Sequence, residues 1–325
     1  MPADLTISII NHSNPGLLQS CLRSLFAATH KVTLDIWVVD NATNGDLVPE
    51  LQAEFPQVQW LFNPKRLGFS ANHNQVLGML MEGTVKSRYA CILNDDTVIH
   101  DGAFDTLVQF LDDAPQIGMV GAKLLNTDGT LQNCTFRFMT LWSELVGICF
   151  LPGPLCFLKK IGTDPAQFQD RPARVDWVLG ACIVVRGTAL QQVGLLDSEL
   201  SPVANTEEVD WCYRAHESGW DVAYCPDAVL THLGGQSMKS AAPGPDVFRI
   251  EMHRTRLAFF RKHYGPLQMS LLRGIYLLTL PWNALMLAQS ALRKTEPIAK
   301  CRNTLATLGG IAGVTCTPDR HFDKL

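Results

Sequence analysis

Leu5-Thr6-Ile7-Ser8-Ile9-Ile10 runs into Asn11, Leu34–Val39 runs into Asp40-Asn41, and Tyr89-Ala90-Cys91-Ile92-Leu93 runs into Asn94-Asp95-Asp96. Each run is short and apolar almost throughout, the pattern of a strand buried on both faces. Val58–Phe62 and Gly118–Val120 extend the series, and helix-like stretches at Pro15–Ala28, Phe69–Glu82 and Gly102–Asp112 separate the runs. This alternation predicts an α/β fold, a mainly parallel central sheet flanked by helices. Such a sheet places ligands at the carboxyl ends of its strands.

Those carboxyl ends carry the polar residues. Sharing one edge would bring carboxylates 50 residues apart in sequence into one crevice, where their mutual repulsion calls for a cation. Oxygen ligands of this kind suit Mg²⁺ or Mn²⁺. Asn and Asp also end strands simply as turn formers.

The rhythm changes after about residue 121. Asn126-Thr127-Asp128-Gly129 signals a turn in a hairpin, a strand pair is expected around Val175–Arg186, and short strands at Val222–Cys225 and Ala228–Thr231. Leu141–Leu158 is apolar but punctuated by Pro and Gly, and carries no assignment. A helix is expected to start near Asn205. At 100° per residue, Glu207, Asp210, Arg214 and Glu217 fall on one polar face, while Glu208 falls in the middle of the opposite, mostly apolar arc. An inward carboxylate is desolvated, which raises its pKa and suits a general base. Asn205 and Glu208 would equally form a capping pair at the helix start. His232 follows a short strand, where it is a structural residue or a ligand for a metal ion.

Composition narrows the classes. Apolar residues make up 47% and charged residues 18% of 325, enough for a large core. The ten cysteines form no C-x-x-C pair and sit among apolar neighbours, as reduced core thiols do. The net charge is −4; residues 249–302 hold ten Lys/Arg against Glu251 and Glu296, or +8, and the last 23 residues balance, which leaves −12 on residues 1–248. An acidic body argues against nucleic acid as a partner. The start lacks the basic segment and cleavage site of a secretory signal, so a cytoplasmic catalytic body is expected. Neither G-x-G-x-x-G, a P-loop, H-E-x-x-H nor G-x-S-x-G occurs.

Seven pieces in order now matter: Ile7-Ser8-Ile9-Ile10-Asn11; Val38-Val39-Asp40-Asn41-Ala42; Gly68-Phe69-Ser70-Ala71-Asn72-His73-Asn74; Leu93-Asn94-Asp95-Asp96-Thr97; Asp176-Trp177-Val178-Leu179-Gly180-Ala181; Glu207-Glu208-Val209-Asp210-Trp211-Cys212-Tyr213-Arg214; and Thr231-His232. Over residues 5–235 the chain resembles the inverting glycosyltransferases of family 2, in particular bacterial rhamnosyltransferases. The resemblance implies the GT-A fold on residues 1–239, with 240–325 as a C-terminal helical region. It implies a nucleoside diphosphate sugar donor, dTDP-rhamnose by the closest branch, and a glycan or lipid-linked acceptor of cell-envelope polysaccharide biosynthesis. Asn11 and Asp40 would line the nucleoside pocket, and Gly68, Asn74, Asp95 and Asp96 would lie near the nucleotide-sugar. Asp96 and His232, with Asp95 as a further candidate, would hold the divalent metal. Trp177, Gly180 and Glu207 would shape the acceptor and sugar pocket, and Glu208 would be the catalytic base. The sequence departs from the family pattern twice: Asn94 stands where a first metal-motif carboxylate is usual, and Glu208 where the family usually has Asp.

Between Arg273 and Arg293 lie 19 uncharged residues interrupted by Pro281, Asn283, Gln289 and Ser290. That stretch could pack on the catalytic body, lie at a bilayer surface behind its basic flanks, or meet a second subunit. Two other functions compete with transfer. A sugar-phosphate nucleotidyltransferase would want a Gly-rich basic loop after the first strand, where this chain has Asn11-His12-Ser13-Asn14-Pro15. A catalytically silent glycan-binding or scaffolding protein would fit the two departures.

Overall fold

The computed structural model describes residues 2–12, 14–43, 48–148, 170–200, 206–234 and 245–292. The chain divides into two compact units, one drawn from Met1–Arg137, Asp164–Ser198 and Pro202–Ala241, the other from Phe138–Thr163, Glu199–Ser201 and Ala242–Leu325.

The first unit opens with β1 (Ala3–Asn11), α1 (Pro15–Ala27), β2 (Leu34–Asp40), α2 (Val48–Glu54), β3 (Gln59–Phe62), α3 (Phe69–Met81) and β4 (Ser87–Leu93). Then come β5 (Thr97–Ile99), α4 (Ala103–Asp113), β6 (Ile117–Leu125) and β7 (Thr135–Phe136). After α5 (Leu141–Ile148), which belongs to the second unit, follow β8 (Ala173–Val175), β9 (Trp177–Val178), β10 (Cys182–Arg186), α6 (Gly187–Val193), α7 (Glu207–Glu217) and β11 (Asp221–His232). The main sheet runs β3-β2-β1-β4-β10-β6-β11-β5, with β8 on β11, and β7 pairs with β9 separately. β1 is parallel to both β2 and β4, so Asn11 lies in register with Asp40 and Ile9 with Leu93. Leu5, Ile7 and Ile9 on one side of β1, and the buried Thr6, Ser8 and Ile10 on the other, bear out a strand covered on both faces.

Several local expectations are corrected. The residues around Val175–Arg186 form three strands that do not pair with one another: β8 joins β11, β9 joins β7, and β10 inserts antiparallel between β4 and β6. Hence the sheet is mixed at its centre. The two short strands of residues 222–231 are one strand, β11, with a bulge between Cys225 and Val229. Asn126–Gly129 does turn, with Gly129 at φ +80°, but beyond it only the bridge Leu125–Leu131 forms in place of a hairpin. α2 and β5 are elements the periodicity did not reveal, both being short. The six described cysteines, Cys21, Cys91, Cys134, Cys182, Cys212 and Cys225, are free and buried.

One glycine is dictated by packing. A Cβ on Gly121, in β6, would sit 2.7 Å from Cβ of Val178, so only glycine lets β9 lie this close over the sheet.

The second unit holds α5, α8 (Pro245–Phe259), a π-helical turn (Phe260–Tyr264) and the 28-residue α9 (Gly265–Leu292). Glu144 of α5 is buried, meets Arg256 at 3.1 Å and accepts from the hydroxyl of Tyr276 at 3.0 Å; Asn283 donates to the carbonyl of Ile148. α9 continues through Pro281 because the carbonyl that loses its partner, that of Leu277, lies on the exposed face, where water can serve it.

Candidate functional site

The site begins at the sheet's carboxyl edge. Asn11 donates to Asp40 Oδ1 at 2.8 Å, and Thr43 donates through its backbone to Asp40 Oδ2 at 3.3 Å. Between them Ala42 holds φ +54°, a left-handed conformation that side chains other than Gly, Asn and Asp adopt rarely and that clusters at functional positions. Asn11 Oδ1 is buried with no hydrogen-bond partner. Asn41 exchanges two hydrogen bonds with the backbone of Leu67, and Asn72 donates to the carbonyls of Leu67 and Gly68. This fixes the loop that opens α3 at Gly68. Beneath it Ser8 Oγ lies 2.8 Å from Nδ1 of His73; burial pushes the His73 imidazole down to about 3, so it is neutral.

Asn74 faces elsewhere. Its amide donates to the carbonyl of Leu196 at 2.8 Å and accepts from the Leu196 amide at 3.0 Å, tying α3 to the loop after α6. α7 grips the same loop. Trp211 Nε1 donates to the Gly194 carbonyl, and Arg214 donates to the carbonyls of Val193 and Leu195 while paired with Asp210 at 2.8 Å. On the helix face read as polar, Glu207 and Asp210 are buried, Asp210 being paired with Arg214, which the neighbouring loop holds. α7 starts after Thr206, whose amide donates to Glu207 Oε2 at 2.9 Å; the expected cap Asn205 lies outside the described residues.

The turn after β4 and the end of β11 meet. β5 reverses the chain immediately after Asp96 and pairs Thr97 with His232, while Leu233 donates to the carbonyl of Asp96 at 2.9 Å. His232 Nε2 consequently lies 3.2 Å from Asp96 Oδ1 and 3.4 Å from Asn94 Nδ2. On the other side of the ring, Nδ1 is 2.6 Å from Oε1 of Gln132, whose amide nitrogen is committed to Asn126 Oδ1. A carboxamide oxygen can only accept, so Nδ1 carries a proton, and Nε2 is the ring nitrogen turned towards Asp96. Gln132 was missed in the sequence, where a lone Gln after a turn carries no signal.

Gly180-Ala181 joins this turn to Glu208. The Ala181 carbonyl accepts from the amide of Asn94 at 3.0 Å, and a Cβ on Gly180 would lie 3.7–3.8 Å from Cβ, Cγ and Cδ of Glu208. Asp95, Asp96, Glu207 and Glu208 are all buried, exposed by 3%, 2%, 3% and 6%. Burial first, then the neighbouring Glu207 carboxylate, push the Glu208 carboxyl well above its ordinary range; the backbone amides of Glu208, Gly180 and Val209 only partly offset this. Glu208 Oε2 is buried with no hydrogen-bond partner. Trp177, three residues before Gly180, stacks on Phe136 with centroids 4.1 Å apart and donates to the Arg137 carbonyl.

The structure thus gathers Asn94, Asp96 and His232, with Gly180 and Glu208 adjacent. Asp40 is held by Asn11 and Thr43 instead. Among the described residues no group of three or more His, Cys, Asp or Glu side chains could hold an ion, so the expected convergence of every strand-end carboxylate on one cation does not occur. The sheet edge is too wide for it, since Asp40 and Asp96 follow strands separated by β1.

Solved structures share this architecture. The mannosyltransferase PcManGT from Pyrobaculum calidifontis in complex with GDP-Man and Mn²⁺ superimposes with a TM-score of 0.57 at 13% identity, over 100% of this chain and 89% of that one. GalNAc-T7 with UDP, GalNAc and Mn²⁺ gives 0.55 at 14% identity; 80% of this chain is covered, and the match spans 50% of that longer chain. The fold is that of the GT-A glycosyltransferases. Residues 2–254 match the family described as glycosyltransferase like family 2, and the chain belongs to it. A curated relative, the N-acetylglucosaminyl-diphospho-decaprenol L-rhamnosyltransferase of Mycobacterium tuberculosis (strain ATCC 25618 / H37Rv), is 22% identical over 300 residues, 90% of this chain and 95% of its own.

Proposed function

We propose that this glycosyltransferase moves rhamnose from dTDP-rhamnose to a hydroxyl of a lipid-linked glycan, with inversion at the anomeric carbon. The sugar and acceptor class are supported by the mycobacterial relative, whose name specifies both rhamnosyl transfer and a diphospho-decaprenol substrate. The observation that carries the chemistry is the junction at Gly180-Ala181, which holds the Asn94–Asp96 turn on one side and Glu208 on the other.

A divalent metal fits the donor set. Two ligand atoms in adjacent positions on an octahedral ion with bonds of about 2.1 Å lie about 3 Å apart, near the 3.2 Å between Asp96 Oδ1 and His232 Nε2. A carboxylate oxygen suits Mg²⁺ or Mn²⁺, and an imidazole nitrogen is a donor that Mn²⁺ would accept. Asp96 and His232 would hold it, Asp95 lying beside them, and when bound it would neutralise charge developing on the leaving diphosphate.

Asn11 and Asp40 line the nucleoside end, where the buried Asn11 Oδ1 is an acceptor for a donor on the base or ribose. Glu208 Oε2 takes the proton of the acceptor hydroxyl as that oxygen attacks the anomeric carbon. The carbon–oxygen bond to the diphosphate breaks on the opposite face, nucleoside diphosphate departs, and Glu208 returns its proton to solvent. No covalent enzyme intermediate forms. Glu208 is one methylene longer than the usual Asp, and it lies beside Gly180.

A panel of nucleotide sugars with Mn²⁺ and an acceptor sugar linked through diphosphate to a polyprenyl chain tests this. Release of dTDP with formation of a rhamnosylated lipid is expected. Pyrophosphate exchange would instead indicate nucleotidyl transfer, and neither product would indicate binding alone.

A further inference from the structure

Among the described residues, nine large apolar side chains are exposed, and six of them lie on α9: Leu267, Leu271, Leu277, Leu278, Trp282 and Leu285. Scattered exposed hydrophobics are ordinary, but a concentration on one element marks an interaction surface. The spacing Leu267, Leu271, Leu278, Leu285 with Trp282 keeps one helical face, at 100° per residue. The buried residues Leu272, Tyr276, Thr279 and Asn283 occupy the opposing face, where Tyr276 and Asn283 bond to α5. α9 is amphipathic in an unusual sense: one side is committed to its own unit, and the other is apolar yet exposed by up to 81%.

Charge decides what covers it. Arg254 and Arg256 of α8 are paired with Glu251 and Glu144, but Arg261 and Lys262 are exposed at the turn into α9, and α9 itself carries Arg273 and no acidic residue. A symmetric contact between two copies would set this basic segment against itself. An anionic lipid surface complements it, Leu and Trp entering the acyl boundary while the cations meet headgroups. Among the described residues no helix is long and apolar enough to cross a membrane, so the helix would lie in the plane of the interface. We propose that the outer face of α9 docks on an anionic phospholipid bilayer. This does not depend on the donor or acceptor named above.

Flotation of the full chain with phosphatidylcholine vesicles, with and without phosphatidylglycerol, tests it. Recovery with the anionic vesicles alone, decreasing as salt is raised, is expected. The double change Leu271→Glu with Leu278→Glu should lower that recovery at least about tenfold, with unfolding temperature unchanged because both positions are exposed. Arg261→Glu with Lys262→Glu, a second and independent variant, should remove the salt-sensitive part. Absence of flotation with anionic vesicles would overturn the proposal. So would a dimer in size-exclusion chromatography that the Leu changes convert to monomer while vesicle recovery stays the same.

Discussion

Replacing Glu208 with Gln keeps the side chain's volume and its contact with Gly180 while removing the group that can take a proton. General-base assistance is typically worth about 10²–10⁴-fold. At 1.36 kcal/mol per tenfold, that is about 2.7–5.5 kcal/mol of barrier. Turnover at saturating donor should therefore fall by that factor, with the donor dissociation constant unchanged, because Glu208 lies across Gly180-Ala181 from the proposed diphosphate site. Stability moves the other way. The folded Glu208 carboxyl titrates above its unfolded value of about 4.5, so between those two values the folded state binds more protons than the unfolded state. Stability then falls as pH rises through that window, and the loss is complete above the folded pKa. Gln carries no charge to desolvate. Urea titrations should find the two proteins alike below the ordinary carboxylate range and Glu208→Gln the more stable at neutral pH. The acid limb of the wild-type turnover profile should likewise lie above the ordinary carboxylate range, with activity rising as Glu208 loses its proton. Unchanged turnover, or a variant less stable than wild type at neutral pH, would refute the reasoning.

Gln132→Leu removes the acceptor that fixes the His232 ring proton. Losing such an outer contact typically weakens metal affinity about 10–100-fold, and calorimetry of Mn²⁺-dependent nucleotide binding should show a loss of that size while metal-free binding is unaffected. Gly121→Ala would drive a methyl to 2.7 Å from Val178 Cβ. Overpacking of this kind costs about 1–3 kcal/mol, which should appear as a lower urea midpoint at unchanged slope.

Much of the first half was legible because each strand is a buried apolar run closed by a polar residue, a pattern that needs no partner to be read. Asn11, Asp40 and the Asn94–Asp96 turn could be placed on one edge from strand order alone. The insertion of β10 antiparallel between β4 and β6 could not, since Cys182–Arg186 reads equally well in either direction. The outer face of α7 was misread for a related reason. Asp210 and Arg214 look like a solvated pair, yet Arg214 hands its remaining donors to Val193 and Leu195 about 20 residues upstream, and no helical period records that. Asn74 stands in the same position: its motif suggests a ligand contact, but its amide is spent on Leu196. Glu208 was legible as inward-pointing from the helical period, while the same period put its buried neighbour Glu207 on the polar face, and only the resemblance placed it at the site. Within the C-terminal region, periodicity showed helices, but the burial of Leu272, Tyr276, Thr279 and Asn283 depends on α5, a helix whose sequence neighbourhood gave no assignment.

Calorimetric titration of dTDP into wild type, Asp96→Ala and Glu208→Gln, each with and without Mn²⁺, tests the divided site most directly. Metal-stimulated binding should occur in wild type and Glu208→Gln and be lost in Asp96→Ala. Retention of the full Mn²⁺ effect by Asp96→Ala would contradict the assignment of the Asp96–His232 corner to the donor's diphosphate.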